Sequence, residues 1–111
     1  SFLLVSRKAF KEVGGFDEDY FMFFEDVDLC FRLKQAGYRS VYVPAASITH
    51  LGAHSTSAHM RSMVIAHHKS AEKFLSKLYA GPLYAPLRAV LRAGLRVRAR
   101  LASSAFTKDK N

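Results

Sequence analysis

The chain has 111 residues, half of them apolar and 23 % charged, a composition that excludes a disordered chain and leaves room for one modest core. Seventeen Lys and Arg against nine Asp and Glu give a net charge of +8, unevenly placed: residues 1–50 carry six basic and seven acidic groups, residues 51–111 eleven and two. The single cysteine, Cys30, excludes an internal disulfide and fits a reduced, cytosolic setting, and no apolar run approaches the ~20 residues that span a bilayer.

The chain begins with Ser rather than Met, and its short apolar start lacks the basic region of a signal peptide, which hints at a start inside a larger protein. "FLLV" at 2–5 predicts a short buried strand. Ser6 is placed to cap a helix that runs to about Val13 and stops at Gly14-Gly15. "FDEDYFMF" reads as an irregular acidic and aromatic loop. From about Glu25 the apolar positions Val27, Cys30 and Phe31 recur at helical spacing until Gly37. "YRSVYVP" alternates and ends at Pro44, which predicts a strand, and "ASITH" is a shorter extended piece. Ser57 to Tyr79 reads as a long amphipathic helix with Met60, Met63, Val64, His67, Ala71, Phe74, Leu75 and Leu78 on one face, broken by Gly81-Pro82. The last element, about Pro86 to Ala102, sets Leu87, Val90, Leu91, Leu95 and Leu101 on one side and Arg88, Arg92, Arg96 and Arg100 on another, and the tail after it is expected to fray. The order strand, helix, helix, strand, strand, helix, helix is too short for a complete doubly wound sheet and looks like the closing part of an α/β one.

The densest chemistry is in "FFEDVDLCFR", where Glu25, Asp26 and Asp28 stand among aromatic and aliphatic residues. Acids in a helix's first turn are commonly no more than partners for its unpaired N–H groups and dipole. Here Tyr20, Phe21, Phe23 and Phe24 make the preceding loop costly to expose, so the acids are expected to line a partly closed pocket. A carboxylate at a loop-to-helix junction is held in a fixed direction and can accept a proton from an attacking hydroxyl. Asp28, two residues beyond Asp26, points away from it, toward a structural hydrogen bond or a contact with Arg32 at i+4.

Several spaced elements occur in order: "GGFDE", "EDVDL", Arg32, "AGY", Pro44, and a His followed by Ser in "HLGAHS". On these the chain resembles, from about Phe2 to Ser55, the C-terminal half of the catalytic domain of family 2 glycosyltransferases, in the rhamnosyltransferase-like and galactofuranosyltransferase-like branch. The resemblance implies an α/β chain, the C-terminal part of a type A glycosyltransferase (nucleotide-diphospho-sugar transferase) fold, followed by two amphipathic helices. Residues 1–56 would belong to the catalytic domain, 57–80 to a helix packed on it, and 81–111 to a basic helix and tail. It further implies that Asp26 is the base for a single inverting displacement, that Glu25 flanks the acceptor, and that His50 coordinates Mg²⁺ or Mn²⁺. That metal would be held together with an Asp-x-Asp motif from a nucleotide-binding half not present in these residues. Phe16, Asp17 and Phe24 are placed to touch acceptor or sugar. His54 and Ser55 lie in a loop that could close over the donor diphosphate. His59, His67 and His68 lack metal-ligand spacing and read as structural.

The basic helix has three readings: a helix packing its Leu face on the domain, an interfacial membrane helix, or a nucleic-acid patch. No aromatic stacking platform or DNA-binding motif accompanies it, so no nucleic acid is expected. Arg88, Arg92, Arg96 and Arg100 opposite an apolar face suit an anionic membrane surface, with packing on the domain as the alternative. The partners implied are thus a nucleotide-diphospho-sugar donor, a glycan or lipid-linked acceptor and the inner face of the cell membrane. The competing functional reading is a non-catalytic, small basic membrane- or nucleic-acid-binding module in which "EDVDL" is a relic of the fold.

Overall fold

The computed structural model describes residues 2–49 and 60–108, which form four α-helices and a 3₁₀ turn. Helix α1 spans Arg7–Glu12, α2 Glu25–Gln35, α3 Met60–Leu78 and α4 Ala85–Lys108, with the 3₁₀ turn at Pro82–Tyr84.

The helix ends follow local chemistry. Ser6 is extended, and its hydroxyl accepts the Ala9 amide at 3.1 Å, the N-cap bond that starts α1. At the other end the Gly14 and Gly15 amides donate back to Lys11 and Phe10 carbonyls, and Gly14 sits at φ +79°, so the two glycines close a Schellman turn. Helix α2 ends in the same way: Gly37, at φ +86°, donates to Lys34 and Tyr38 to Leu33, which folds the Tyr38 ring back onto the core. That core is Ala9, Leu29 and Leu33, with Val5, Phe10, Val13 and Tyr38 packed around it.

The expected strands are not found. Among the described residues no strand is present, and the predicted segments 2–5 and 38–43 run without regular structure. A strand is stabilised by a neighbouring strand and by one covered face, and these segments have neither. Leu4 and Tyr42 are each 87 % exposed, and Phe2, Val41 and Val43 are exposed as well. The α/β character expected from the sequence is therefore absent from the described residues, whose fold is helical.

Helix α3 was expected to begin at Ser57, and residues 57–59 lie outside the described residues; its end at Leu78 agrees with the expectation to within one residue. It uses two faces rather than one. His67, Ser70, Ala71 and Phe74 meet the loop before α2 and α2 itself, while Glu72, Leu75 and Ser76 line the contact with α4. The last helix is longer than predicted and continues to Lys108, because nothing after Ala102 breaks it.

Candidate acceptor site at the start of helix α2

Helix α2 begins without a side-chain cap. Its N-cap position is Phe24 at φ +66°, preceded by Phe23 at φ +68°. Left-handed backbone costs a bulky residue about 1–2 kcal/mol, so two in succession persist only where surrounding contacts hold them. Those contacts come from α3. The His67 ring lies 5.3 Å from Phe23 and 5.4 Å from Phe24, and Phe74 lies 5.8 Å from Phe24 and 5.7 Å from Phe31. Ser70 donates its hydroxyl to the Met22 carbonyl at 2.7 Å.

This turn delivers the acidic run. Asp26 is half-buried, its Oδ1 accepts the Val27 amide at 2.8 Å, and it makes no other bond among the described residues. Glu25 has a buried Oε2 with no hydrogen-bond partner among the described residues. A buried carboxylate oxygen without a donor is unfavourable, and a ligand hydroxyl would satisfy it. Asp28, about 200° around the helix from Asp26, is fully buried. As expected at i+4, Arg32 Nε meets its Oδ2 at 2.7 Å. The same guanidinium donates to the Val13 and Gly15 carbonyls at 2.5 and 2.7 Å, which ties α2 to the end of α1.

Two residues of this network, Lys73 and Lys77, are not marked as site residues by any local sequence pattern. Lys77 Nζ lies 2.6 Å from both Asp28 Oδ1 and Asp17 Oδ2, and Lys73 Nζ lies 2.9 Å from Asp17 Oδ1 and 3.0 Å from Asp19 Oδ2. Both ammonium groups stand over the Tyr20 ring, whose hydroxyl donates to Asp28 at 3.2 Å. Their i, i+4 spacing put them on one face of a helix, but nothing local told which acids that face would meet. Asp17, expected at the acceptor, is instead turned onto α3 with both oxygens engaged. Phe16 remains half-exposed, its ring edge against Phe10 at 5.4 Å.

The charges set one another's ionisation. Hydrogen bonds from Lys73 and Lys77 hold the Asp17 carboxyl well below the usual carboxylate range. Burial alone would push Asp28 up, but Lys77 and Arg32 outweigh it and its carboxyl too sits below the ordinary value. Burial would lower Lys73 and Lys77, yet their aspartates hold both above a free lysine. Burial and the Asp28 charge push the Tyr20 phenol up to about 12.

The arginines of α4 divide differently from the sequence expectation. Arg88 donates to the Tyr79 and Gly81 carbonyls and so caps the end of α3, and Arg92 pairs with Glu72 at 2.7 Å, with Arg96 reaching the same carboxylate at 3.4 Å. Leu91 and Leu95 turn inward with them. Arg100 is exposed, and so is Arg98. His50, His54 and Ser55 lie outside the described residues. Among the described residues no three His, Cys, Asp or Glu side chains gather as a metal site, so this part of the chain does not by itself fit the implied Mg²⁺ or Mn²⁺.

A family model described as "Glycosyltransferase like family 2" matches residues 1–67. The chain belongs to that family. The acidic helix start thus lies inside the matched segment, whereas Lys73 and Lys77 lie beyond it. Membership brings with it the nucleotide-diphospho-sugar transferase fold, and α1, α2 and the start of α3 lie within the matched residues. An N-acetylglucosaminyl-diphospho-decaprenol L-rhamnosyltransferase of Mycobacterium tuberculosis is 54 % identical over 101 residues, covering 91 % of this chain and 33 % of the relative. The rhamnosyltransferase WbbL of Escherichia coli is 42 % identical over 77 residues, or 69 % of this chain and 29 % of the relative. A pre-mycofactocin glycosyltransferase of M. tuberculosis is 52 % identical over 48 residues, 43 % of this chain and 10 % of the relative. The chain spans about a third of the length of the two rhamnosyltransferases. No solved structure matches it significantly.

Proposed function

We propose that the protein carrying this chain is an inverting glycosyltransferase that moves a sugar, rhamnose by its relatives, from a nucleotide-diphospho-sugar to a lipid-linked acceptor. The acceptor class is a polyprenyl diphosphate bearing N-acetylglucosamine, the acceptor in the name of the mycobacterial relative. The observation that carries this reading is the division of the acidic run: Asp28 is consumed by the fold, while Asp26 and the unpartnered Glu25 oxygen stay available at the loop-to-helix junction. In the reaction the acceptor hydroxyl oxygen bonds to the anomeric carbon as the bond from that carbon to the diphosphate breaks. The electron pair leaves with the nucleoside diphosphate, and the hydroxyl proton passes to the Asp26 carboxylate. Glu25 accepts a second acceptor hydroxyl, and Phe16 and Phe24 give the sugar an apolar wall.

His50 as a metal ligand, and His54 and Ser55 at the donor diphosphate, belong to the same reading, and no step above is routed through the metal. In the same reading α4 lies on the inner face of the cell membrane. Its outward apolar residues Leu87, Val90, Val97 and Leu101 follow one another at three-, seven- and four-residue intervals, on one face, and are flanked by Arg98 and Arg100, with no acid from residue 73 to 108. Among the described residues no helix is long and apolar enough to cross a membrane. The non-catalytic reading is not favoured, since the named relatives are transferases. In the full-length protein Asp26→Asn should abolish transfer and leave donor binding nearly intact; unchanged transfer would overturn the base assignment.

A further inference from the structure

We infer that Lys77 is a positioning residue for acceptor use, a tie from α3 that holds the loop of residues 16–24 and the base-bearing helix α2 in one register. The inference rests on the proposed function. Asp17 opens that loop and Asp28 lies one turn into α2, and the Lys77 ammonium meets both at 2.6 Å, 60 and 49 positions away in the chain. Lys73 holds the other oxygen of Asp17, and the Tyr20 ring lies beneath both lysines, with its hydroxyl on Asp28. The positive charges of Lys73, Lys77 and Arg32 thus face the negative charges of Asp17, Asp19 and Asp28.

The tie acts at a distance because of what the loop contains. Phe23 and Phe24 are both held left-handed, a conformation each would leave if released, and Phe24 directly precedes Glu25 and Asp26. Without Lys77, Asp17 keeps only Lys73 and its link to Asp28 is lost, so the loop loosens against α2 and Phe16, Phe24 and the Glu25 carboxylate shift relative to the acceptor. Lys77 touches no substrate in this account. Its effect falls on acceptor geometry, and donor binding is untouched.

The test is Lys77→Met, which keeps the stem's length and removes the charge, beside Lys77→Arg, which keeps the charge. In the full-length enzyme Lys77→Met should raise the acceptor KM about tenfold or more with the donor KM within about twofold, and Lys77→Arg should recover much of the difference. Equal changes in both KM values, or none, would overturn the inference. A second readout is amide hydrogen exchange: residues 16–24 should exchange faster in Lys77→Met while the Leu29 and Leu33 amides keep their protection. Unchanged exchange in that loop overturns the tie whether or not transfer is detected, and an active Asp26→Asn enzyme overturns the base reading without touching the exchange result. Should Lys77→Met fail to fold, Lys73→Met, which removes one of the two lysines from Asp17, must show the same effects in the same direction; no effect counts against the tie.

Discussion

The ammonium of Lys77 and the carboxylate of Asp28 meet at 2.6 Å although 49 residues separate them, and the carboxylate is fully buried. Arg32 occupies the other Asp28 oxygen, so the part of α3 that lies beyond the family match closes over the helix that bears the candidate base. A buried carboxylate so placed is tolerated only with both partners present, which makes the docking of α3 a condition for the arrangement of α2.

Removing one member of this group leaves the others uncompensated. Asp28→Ala should destabilise the protein by about 3 kcal/mol, and Asp28→Asn, which keeps a hydrogen-bonding side chain, by about 1–2 kcal/mol. Urea unfolding checks this through a lowered midpoint at an unchanged slope. A midpoint within error of the parent protein for Asp28→Ala would mean that the pair is not formed.

The pH dependence follows from the directions of the shifts. Asp17 and Asp28 have lowered folded-state values, so their contribution is present above the ordinary carboxylate range and is lost as the pH falls below about 4. Lys73, Lys77 and Tyr20 have raised values, so their contribution is present below about pH 10 and is lost as the pH climbs past it, through about 12 for Tyr20. Stability measured against pH should therefore be level across the neutral range and fall at both ends. The acid fall should shrink in Asp28→Asn.

At Phe23 the backbone and the ring can be separated. Glycine adopts positive φ freely and alanine does not, so Phe23→Gly should be more stable than Phe23→Ala by about 1 kcal/mol, the reverse of the order in an ordinary helix. Thermal melts of the two variants decide it. Equal melting temperatures would mean that the turn before Glu25 is not held left-handed.

The arginines of α4 should respond in two ways. Arg98 and Arg100 together changed to Gln should weaken binding to anionic vesicles roughly thirtyfold, at ~1 kcal/mol each, and added salt should mimic the loss. Arg92→Gln, which breaks the Glu72 pair inside the α3 to α4 contact, should lower stability more than vesicle binding. Co-sedimentation and melting curves on the same variants distinguish the two effects.

Much of this chain was readable residue by residue. Ser6 as a cap, the glycine turns at 14–15 and 37, the start of α2 at Glu25 and the Asp28 to Arg32 contact all follow from neighbours within four or five positions, where the helix itself fixes which groups can meet. The family motif stands in the same short stretches. Other features depended on parts of the chain that are far apart. The extended segments at 2–5 and 38–43 carry strand-like residues, but a strand exists only where a partner is beside it. The stripe on α4 and its arginines could be placed on a wheel, yet which side faces α3 was decided by Leu91, Leu95 and the Glu72 carboxylate. In the same way the sequence alone determined that Glu25, Asp26 and Asp28 open a helix. Only the tertiary structure decided that Lys73 and Lys77 pair with Asp17 and Asp28, because an ion pair across 49 or 60 residues is set by the docking of one helix on another.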